Sequence, residues 1–401
     1  MKVLQINCVY ANGSTGKIVE DAHKYYLSNG IDSVVVYGRG QGESDENLYR
    51  VSSEYIAKFR NLLSRATGNI YGYGRADTKK ICSIIKEEKP DIVHLHCING
   101  FFCDIYSLLE FLKSNNIATV LTMHAEFMYT GNCAYAYDCE QWKKGCKNCP
   151  DLKQAINSIN KKAPEKNWQK MYNAFSGFEN LIVTGVSDWI SERAKCSDIL
   201  KGKSIFTVLN GLNTETFNLN KEAPEVIEEL RRKNKKIILY VTPYFEDENK
   251  GGKWVLELAE RLKNENIQFV VAGSKTEEYN IDNITFLGRI ESAEQLACYY
   301  AASDICLLTS KRETFSMVTA ESLCCGTPIV GFEAGAPEMI ALKDYSAFVP
   351  YGDLDALEET VKEWLAKDAD KKEISLAACK KYSKQAMAEG YINIYKKLLE
   401  K

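Results

Sequence analysis

The chain has 401 residues, with 51 Lys and Arg against 54 Asp and Glu, giving a formal net charge of −3. This balance, with no long charged block, excludes the basic footprint of a nucleic-acid binder and a highly charged tail. A length well above the ~100–200 residues of one domain predicts two domains, each with its own core. Met1–Cys8 is too short an apolar stretch for a signal peptide, and nothing approaches the ~18 apolar residues of a membrane span, so a cytoplasmic protein is expected. Fourteen cysteines, among them Cys8, Cys82, Cys306, Cys324 and Cys325 in predicted strands and helices, suit a reducing compartment better than a disulfide framework.

Apolar runs and helical patterns alternate along the chain. Short apolar runs predict strands at Lys2–Asn7, Ser33–Tyr37, Asp91–Leu95, Thr119–Thr122 and Leu181–Val186. Helical periodicity lies between them around Lys17–Ser28, Thr78–Glu88 and Tyr106–Asn115. A second series follows Asn210-Gly211, with predicted strands Lys236–Val241, Gln268–Ala272, Ile284–Leu287, Asp304–Leu308 and Pro328–Gly331, and helical patterns such as Gly252–Leu262 and Glu294–Ala301. Two successive βα arrays predict an α/β protein of two Rossmann-like, doubly wound domains, 1–208 and 209–380, with an interdomain cleft. The last predicted helix, Lys381–Lys401, places Met387, Tyr391, Ile394, Tyr395 and Leu398 at helical spacing.

The most informative stretch runs Glu313-Thr-Phe-Ser-Met-Val-Thr-Ala-Glu321, followed by Ser-Leu-Cys-Cys-Gly326-Thr-Pro328. Glu313 falls in the loop after a predicted strand, and Glu321 inside a helix that opens near Ser316 and stops at Gly326. Two carboxylates then flank a helix start whose free N–H groups and positive dipole end suit a diphosphate lying between a sugar and a ribose. The stretch resembles the Glu-x7-Glu signature of retaining nucleotide-sugar glycosyltransferases of family 4, and the resemblance extends over essentially the whole chain. It implies a GT-B fold whose C-terminal helix crosses back onto an acceptor-side first domain. It also implies Glu313 at the donor sugar, Glu321 at the ribose, and Thr314, Phe315 and Ser316 as donor-binding residues.

Other segments fit the same family. Asn12-Gly13-Ser14-Thr15-Gly16-Lys17 is a Gly-rich first turn that lacks the third-glycine spacing of a dinucleotide fingerprint. The second strand also ends Tyr37-Gly38-Arg39, with no acidic residue for an NAD ribose, which argues against an NAD enzyme. In the family such a loop lies near the donor phosphates, which implicates Gly13, Ser14 and Thr15. Lys250-Gly251-Gly252-Lys253 resembles the Lys-Gly motif whose lysine holds the donor diphosphate, a group that gains negative charge as it leaves. The family's partner arginine is missing, since the chain reads Val241-Thr242-Pro243, as in a polysaccharide-assembly subgroup; Lys253, Lys311 and Arg312 are candidates to compensate. Phe286-Leu-Gly288-Arg289-Ile290 resembles the strand-end loop where backbone of Arg289 or Ile290 reads the base. Asn210-Gly211 to Phe217 resembles the entrance to the second domain, with Asn213 in place of the usual Asp, and reads first as a structural turn.

His124 ends the fourth predicted strand, at the sheet edge where ligands bind in such folds, and the matching histidine of the family touches the donor sugar. The family's next residue is Asp; here Ala125 and Glu126 follow, which leaves Glu126 as a speculative acceptor-side base. His94 and His96 sit i,i+2 on one strand face and are expected to be structural supports. Cys133, Cys139, Cys146 and Cys149, spaced by five, six and two residues, have the count and reach for a structural zinc site. Disulfides or free buried thiols are the alternatives. A similar insertion, spanning 130–150 here, occurs in polysaccharide-assembly members of the family.

Together these features imply transfer of a sugar from a nucleoside diphosphate, UDP or GDP, to a hydroxyl of a saccharide acceptor in surface polysaccharide biosynthesis. The implied enzyme is of hexosyltransferase type, works with retention and needs no cofactor for catalysis. The implied acceptor is a saccharide or lipid-linked saccharide at the inner face of the cell membrane. Ser53–Tyr73, with Tyr55, Phe59, Leu62, Leu63, Ile70 and Tyr71 among Lys58, Arg60 and Arg65, reads either as an amphipathic basic patch for anionic headgroups or as core. A sugar-nucleotide epimerase or hydrolase, and a non-catalytic nucleotide-sugar-binding protein, are the alternative functions.

Overall fold

The computed structural model describes residues 1–40, 46–152, 158–273, 279 and 281–400. The chain divides into two compact units, Met1–Asn210 with Met387–Lys401, and Gly211–Ala386.

In the first unit, β1 (Lys2–Asn7), β2 (Asp32–Tyr37), β3 (Leu48–Arg50), β4 (Ile92–Leu95), β5 (Thr119–Met123), β6 (Leu181–Gly185) and β7 (Ser204–Thr207) form one sheet. Its order is β3-β2-β1-β4-β5-β6-β7 and every pairing is parallel. In the second unit, β8 (Lys236–Val241), β9 (Ile267–Ala272), β10 (Ile284–Gly288), β11 (Ile305–Leu308), β12 (Ile329–Phe332) and β13 (Ser346–Val349) form a parallel sheet of order β10-β9-β8-β11-β12-β13. Each order reverses once, between β1 and β4 and between β8 and β11. At such a switch point adjacent strand ends diverge and leave a crevice for a ligand.

The inner strands were legible because parallel strands buried on both faces are continuous apolar runs. Strands β3, β7 and β13 were not predicted. All three are part-exposed edge strands of three or four residues, too short for an apolar or alternating pattern to stand out.

The final helix, Lys384–Leu399, buries Met387, Ala388, Tyr391, Ile394, Tyr395 and Leu398 against Val3, Ile18, Tyr26, Ile92, Val120 and Ile182 of the first unit. Its predicted start at Lys381 is corrected: a preceding helix ends at Tyr382, and Ser383 is extended. There Leu212 N–H donates to Tyr382 O at 2.8 Å and Lys384 N–H donates to Leu212 O at 3.0 Å, so a bridge to Leu212 replaces helical bonds. Asn213 makes the expected turn, its Oδ1 accepting from Glu215 N–H at 3.2 Å.

Candidate functional site

In the second unit, the loops after β8 and β11 meet at the switch point. Lys250 lies in the first loop and Glu313 in the second, and Lys250 Nζ is 2.7 Å from Glu313 Oε1. Both loops are held through their backbones. Lys250 O accepts from Tyr240 OH at 2.7 Å and from Thr309 Oγ1 at 3.0 Å, while Asn249 Nδ2 donates to Arg312 O at 3.0 Å. Glu313 N–H donates to Ala334 O at 2.9 Å, tying its loop to the end of β12. Gly251, at φ 76°, opens the helix Gly252–Arg261; a Cβ there would lie 2.2 Å from Thr309 O, so no other residue permits this approach of the two loops.

Ser316 caps the helix Met317–Cys324, its Oγ accepting from Thr319 N–H at 3.2 Å, and adopts φ 78° to do so. That backbone strain in a non-glycine residue sits at the helix end whose first N–H groups suit an anion. Glu321, one turn from the helix end, accepts from Tyr300 OH at 3.0 Å. Burial pushes its carboxyl up to about 7, opposed by the Tyr300 hydrogen bond, which favours the carboxylate. Thr314 and Phe315 are buried, Arg289 is exposed and Ile290 half-buried in the turn after β10, and Lys253 lies over the Trp254 ring at 4.6 Å. Lys311 and Arg312 occupy the loop between β11 and Glu313. Tyr300, Tyr240 and Thr309 were not foreseen; nothing local marks them, because each acts through a contact distant in sequence.

Two Asp-x-Asp sequences, Asp353–Asp355 and Asp368–Asp370, are present in this unit. Asp353 Oδ1 accepts from Ala356 N–H at 3.0 Å and Asp370 Oδ1 from Lys372 N–H at 2.9 Å, so each supplies a helix N-cap.

In the first unit, Gly13, Ser14 and Thr15 form the first turn of the helix Gly13–Ser28, which starts four residues before the predicted Lys17. The sequence pattern hid this turn because Asn12, Gly13 and Ser14 are exposed and carry no apolar periodicity. One face of the sheet turns from apolar to polar toward its carboxyl end: Val3, Ile92 and Val120 give way to Gln5, His94, His96, Thr122 and His124. His94 Nδ1 lies 2.6 Å from Tyr395 OH and its Nε2 2.7 Å from Thr122 Oγ1. His96 Nδ1 lies 3.2 Å from His124 Nε2. Burial lowers His124 to about 4, and burial with neighbouring histidines holds His94 and His96 well below their ordinary value, so all three are neutral imidazoles at physiological pH.

Glu126 is not a base aimed at an acceptor. It is fully buried, with Arg193 Nε 2.8 Å and Tyr129 OH 2.9 Å from Oε1, and Ala136 N–H donating to Oε2 at 2.6 Å. Both oxygens brace the start of the cysteine-rich loop. There Cys133, Cys139, Cys146 and Cys149 are free thiols, and Gly131 N–H donates to Cys146 Sγ at 3.1 Å. Among the described residues no group of three or more His, Cys, Asp or Glu is placed to hold a metal ion, while Cys139, Cys146 and Cys149 lie close enough to Cys133 to help burial raise its thiol. The loop packs on Trp142, fully buried against Tyr129, with Arg193 over its ring.

The segment Ser53–Tyr73 splits in two. On the helix Glu54–Thr67, Tyr55, Phe59 and Leu62 are 86%, 65% and 66% exposed, and Ile159, beside its last turn, is 84% exposed. Ile70 and Tyr71 are core, and Arg60 is withdrawn into an ion pair with Asp77 at 2.7 Å.

Residues 235–367 match the model of the family described as glycosyl transferases group 1. The matched stretch lies within the second unit. Over the whole length, the chain is 21% identical to the colanic acid biosynthesis glycosyl transferase WcaC of Escherichia coli K12, described as putative, covering 99% of this chain and 100% of that one. It is 23% identical to an uncharacterized 41.2 kDa protein in the cps region of Klebsiella pneumoniae, covering 92% and 93%. Among solved structures, sucrose-phosphate synthase from Thermosynechococcus elongatus superposes with a TM-score of 0.68 at 16% identity, covering 100% of this chain and 99% of that one. The Anabaena protein HepE in complex with UDP and glucose superposes with a TM-score of 0.64 at 13% identity, covering 99% of both. The fold of this chain is therefore GT-B, two parallel-sheet α/β domains of seven and six strands. Among the described residues, no helix is long and apolar enough to cross a membrane.

Proposed function

We propose that the chain is a retaining, family-4-type glycosyltransferase that moves a sugar, of hexosyl type, from UDP or GDP to a hydroxyl of a saccharide acceptor. The observation that carries this reading is the pairing of Lys250 and Glu313 on the two loops at the β8/β11 switch point, directly before the Ser316-capped helix. In this reading Lys250 and the helix N–H groups take the diphosphate charge that grows as the nucleotide leaves. Glu313 accepts from donor-sugar hydroxyls, Glu321 from the ribose, and the turn at Arg289 and Ile290 borders the base. Gly13, Ser14 and Thr15 contribute a second helix start, and His124 a hydrogen bond to the reacting sugar. No charged base is assigned to the acceptor: Glu126 is fully engaged and the histidines are neutral, which suits a front-face displacement in which a donor phosphate oxygen takes the acceptor proton. The similarity to WcaC and to a protein of a cps region supports a role in surface polysaccharide assembly.

The exposed Tyr55, Phe59, Leu62 and Ile159, with Lys58 and Arg65 also exposed, support peripheral contact with an anionic membrane face where a lipid-linked acceptor would lie. The test of the reaction is a panel of UDP- and GDP-sugars with and without saccharide acceptors, followed by proton NMR of the anomeric centre. Transfer requiring acceptor, with the donor's configuration kept, is expected. Turnover of donor alone would indicate an epimerase or hydrolase, and binding without turnover a nucleotide-sugar-binding protein.

A further inference from the structure

We propose that Cys379 is an oxidant-reactive thiol and Cys324 its resolving partner, so that a peroxide turns the pair into a disulfide tying the helix that carries Glu321 to the helix Lys371–Tyr382. Neither cysteine has a role in the proposed transfer, and the pairing does not rest on that reading.

Cys324 ends the helix Met317–Cys324, and Lys371, Ser375 and Cys379 follow one another at i, i+4 and i+8 along one face of the second helix. That face meets the end of the first helix at close range. At Gly326, φ 79°, a Cβ would lie 2.5 Å from Lys371 O, so glycine permits the approach. Ser375 Oγ donates to Cys324 O at 2.6 Å, and Cys379 Sγ lies 3.7 Å from the same oxygen and 3.9 Å from Ser375 Oγ. The two thiols are also hydrogen-bonded to each other. Two backbones drawn together on facing turns suit a disulfide, whose Cα atoms stand only about 4.4–6.8 Å apart.

The two sulfurs are not equivalent. Cys379 is half-buried and Cys324 fully buried, so a small oxidant reaches Cys379 first. Hydrogen bonds to Cys324 and Ser375 lower Cys379 to about 7 against the opposing effect of burial, while the bond to Cys379 and burial raise Cys324. Cys379 is therefore the thiolate of the pair. Its sulfur attacks one peroxide oxygen, the O–O bond breaks, and hydroxide leaves, so that Cys379 becomes a sulfenic acid. Cys324 then gives up its proton and attacks that sulfur; the S–O bond breaks, the S–S bond forms and a second hydroxide leaves, each hydroxide ending as water. The two sulfurs lose two electrons in all, and the peroxide gains them. Thiols of a reducing compartment return the pair to its free state, which makes the link transient.

The test treats the reduced full chain with hydrogen peroxide, alkylates the remaining thiols, digests without reductant and maps the peptides by mass spectrometry. A Cys324–Cys379 linked peptide is expected at a dose that leaves the exposed Cys196 mostly a thiol, and it should disappear with dithiothreitol. No such peptide, a link from Cys379 to Cys325 instead, or linkage only after Cys196 is oxidised would overturn the proposal. In Cys324→Ser, Cys379 should stop at a sulfenic acid captured by dimedone. In Cys379→Ser, Cys324 should stay a thiol, and its capture by dimedone would overturn the assigned order. If either variant fails to fold, the wild-type map decides.

Discussion

Lys250 and Glu313 stand 2.7 Å apart on loops that leave adjacent strands at the point where the second sheet reverses its order. The pair is partly exposed, so it adds little to stability. It holds a cation and a carboxylate together ahead of the Ser316-capped helix, and in the proposed reaction each exchanges the other for the donor's phosphate or hydroxyls. Glu313→Gln is expected to leave Tm within a degree or two of wild type while turnover falls at least tenfold, because the charge-assisted bond to a sugar hydroxyl weakens by about 1.5 kcal/mol or more. Unchanged turnover by steady-state kinetics would remove the role given to Glu313.

Glu321 makes stability pH-dependent. Its folded value of about 7 lies above the ~4.3 of an unfolded glutamate, so its contribution is fully present below ~4.3 and is lost as pH rises through about 7. Glu321→Gln is neutral throughout, so its Tm should gain on wild type as pH rises across that window and level off above it. Tyr300→Phe removes the bond that favours the carboxylate and should move the inflection upward. Parallel Tm-against-pH curves for wild type and Glu321→Gln would contradict this.

Gly251 tests the geometry beneath Lys250. Alanine there would face the left-handed backbone and a Cβ 2.2 Å from Thr309 O, so Gly251→Ala is expected to cost about 2–3 kcal/mol in denaturant unfolding. A loss below about 0.5 kcal/mol would show that the two loops yield freely.

The exposed helix face is read by vesicle sedimentation. Replacing Tyr55, Phe59 and Leu62 together with Ser should abolish association with anionic vesicles and leave Tm unchanged, since these side chains are 86%, 65% and 66% exposed. Equal sedimentation of the variant and wild type would end the membrane assignment.

Much of this was legible because the relevant physics is local. Buried parallel strands announce themselves as apolar runs, and Ser316 to Gly326 reads as a capped helix from its own residues. Edge strand β7 did not, because Ser204–Thr207 is half-buried and gains its strand character only from pairing with β6. Glu126 was misjudged for a related reason. Its carboxylate is consumed by Arg193, far away in sequence, and a residue adjacent to His124 gives no sign of a distant partner. Tyr300, which donates to Glu321, became visible only once the two helices were placed side by side.

The central claim is that Lys250 holds a nucleoside diphosphate at the β8/β11 switch point, and calorimetric titration of UDP and GDP into wild type and Lys250→Ala tests it most directly. One of the two nucleotides is expected to bind wild type, and its affinity should fall about ten- to a hundredfold in Lys250→Ala, equivalent to about 1.5–3 kcal/mol for a hydrogen bond to a charged group. Binding of neither nucleotide, or equal affinity for both proteins, would contradict it.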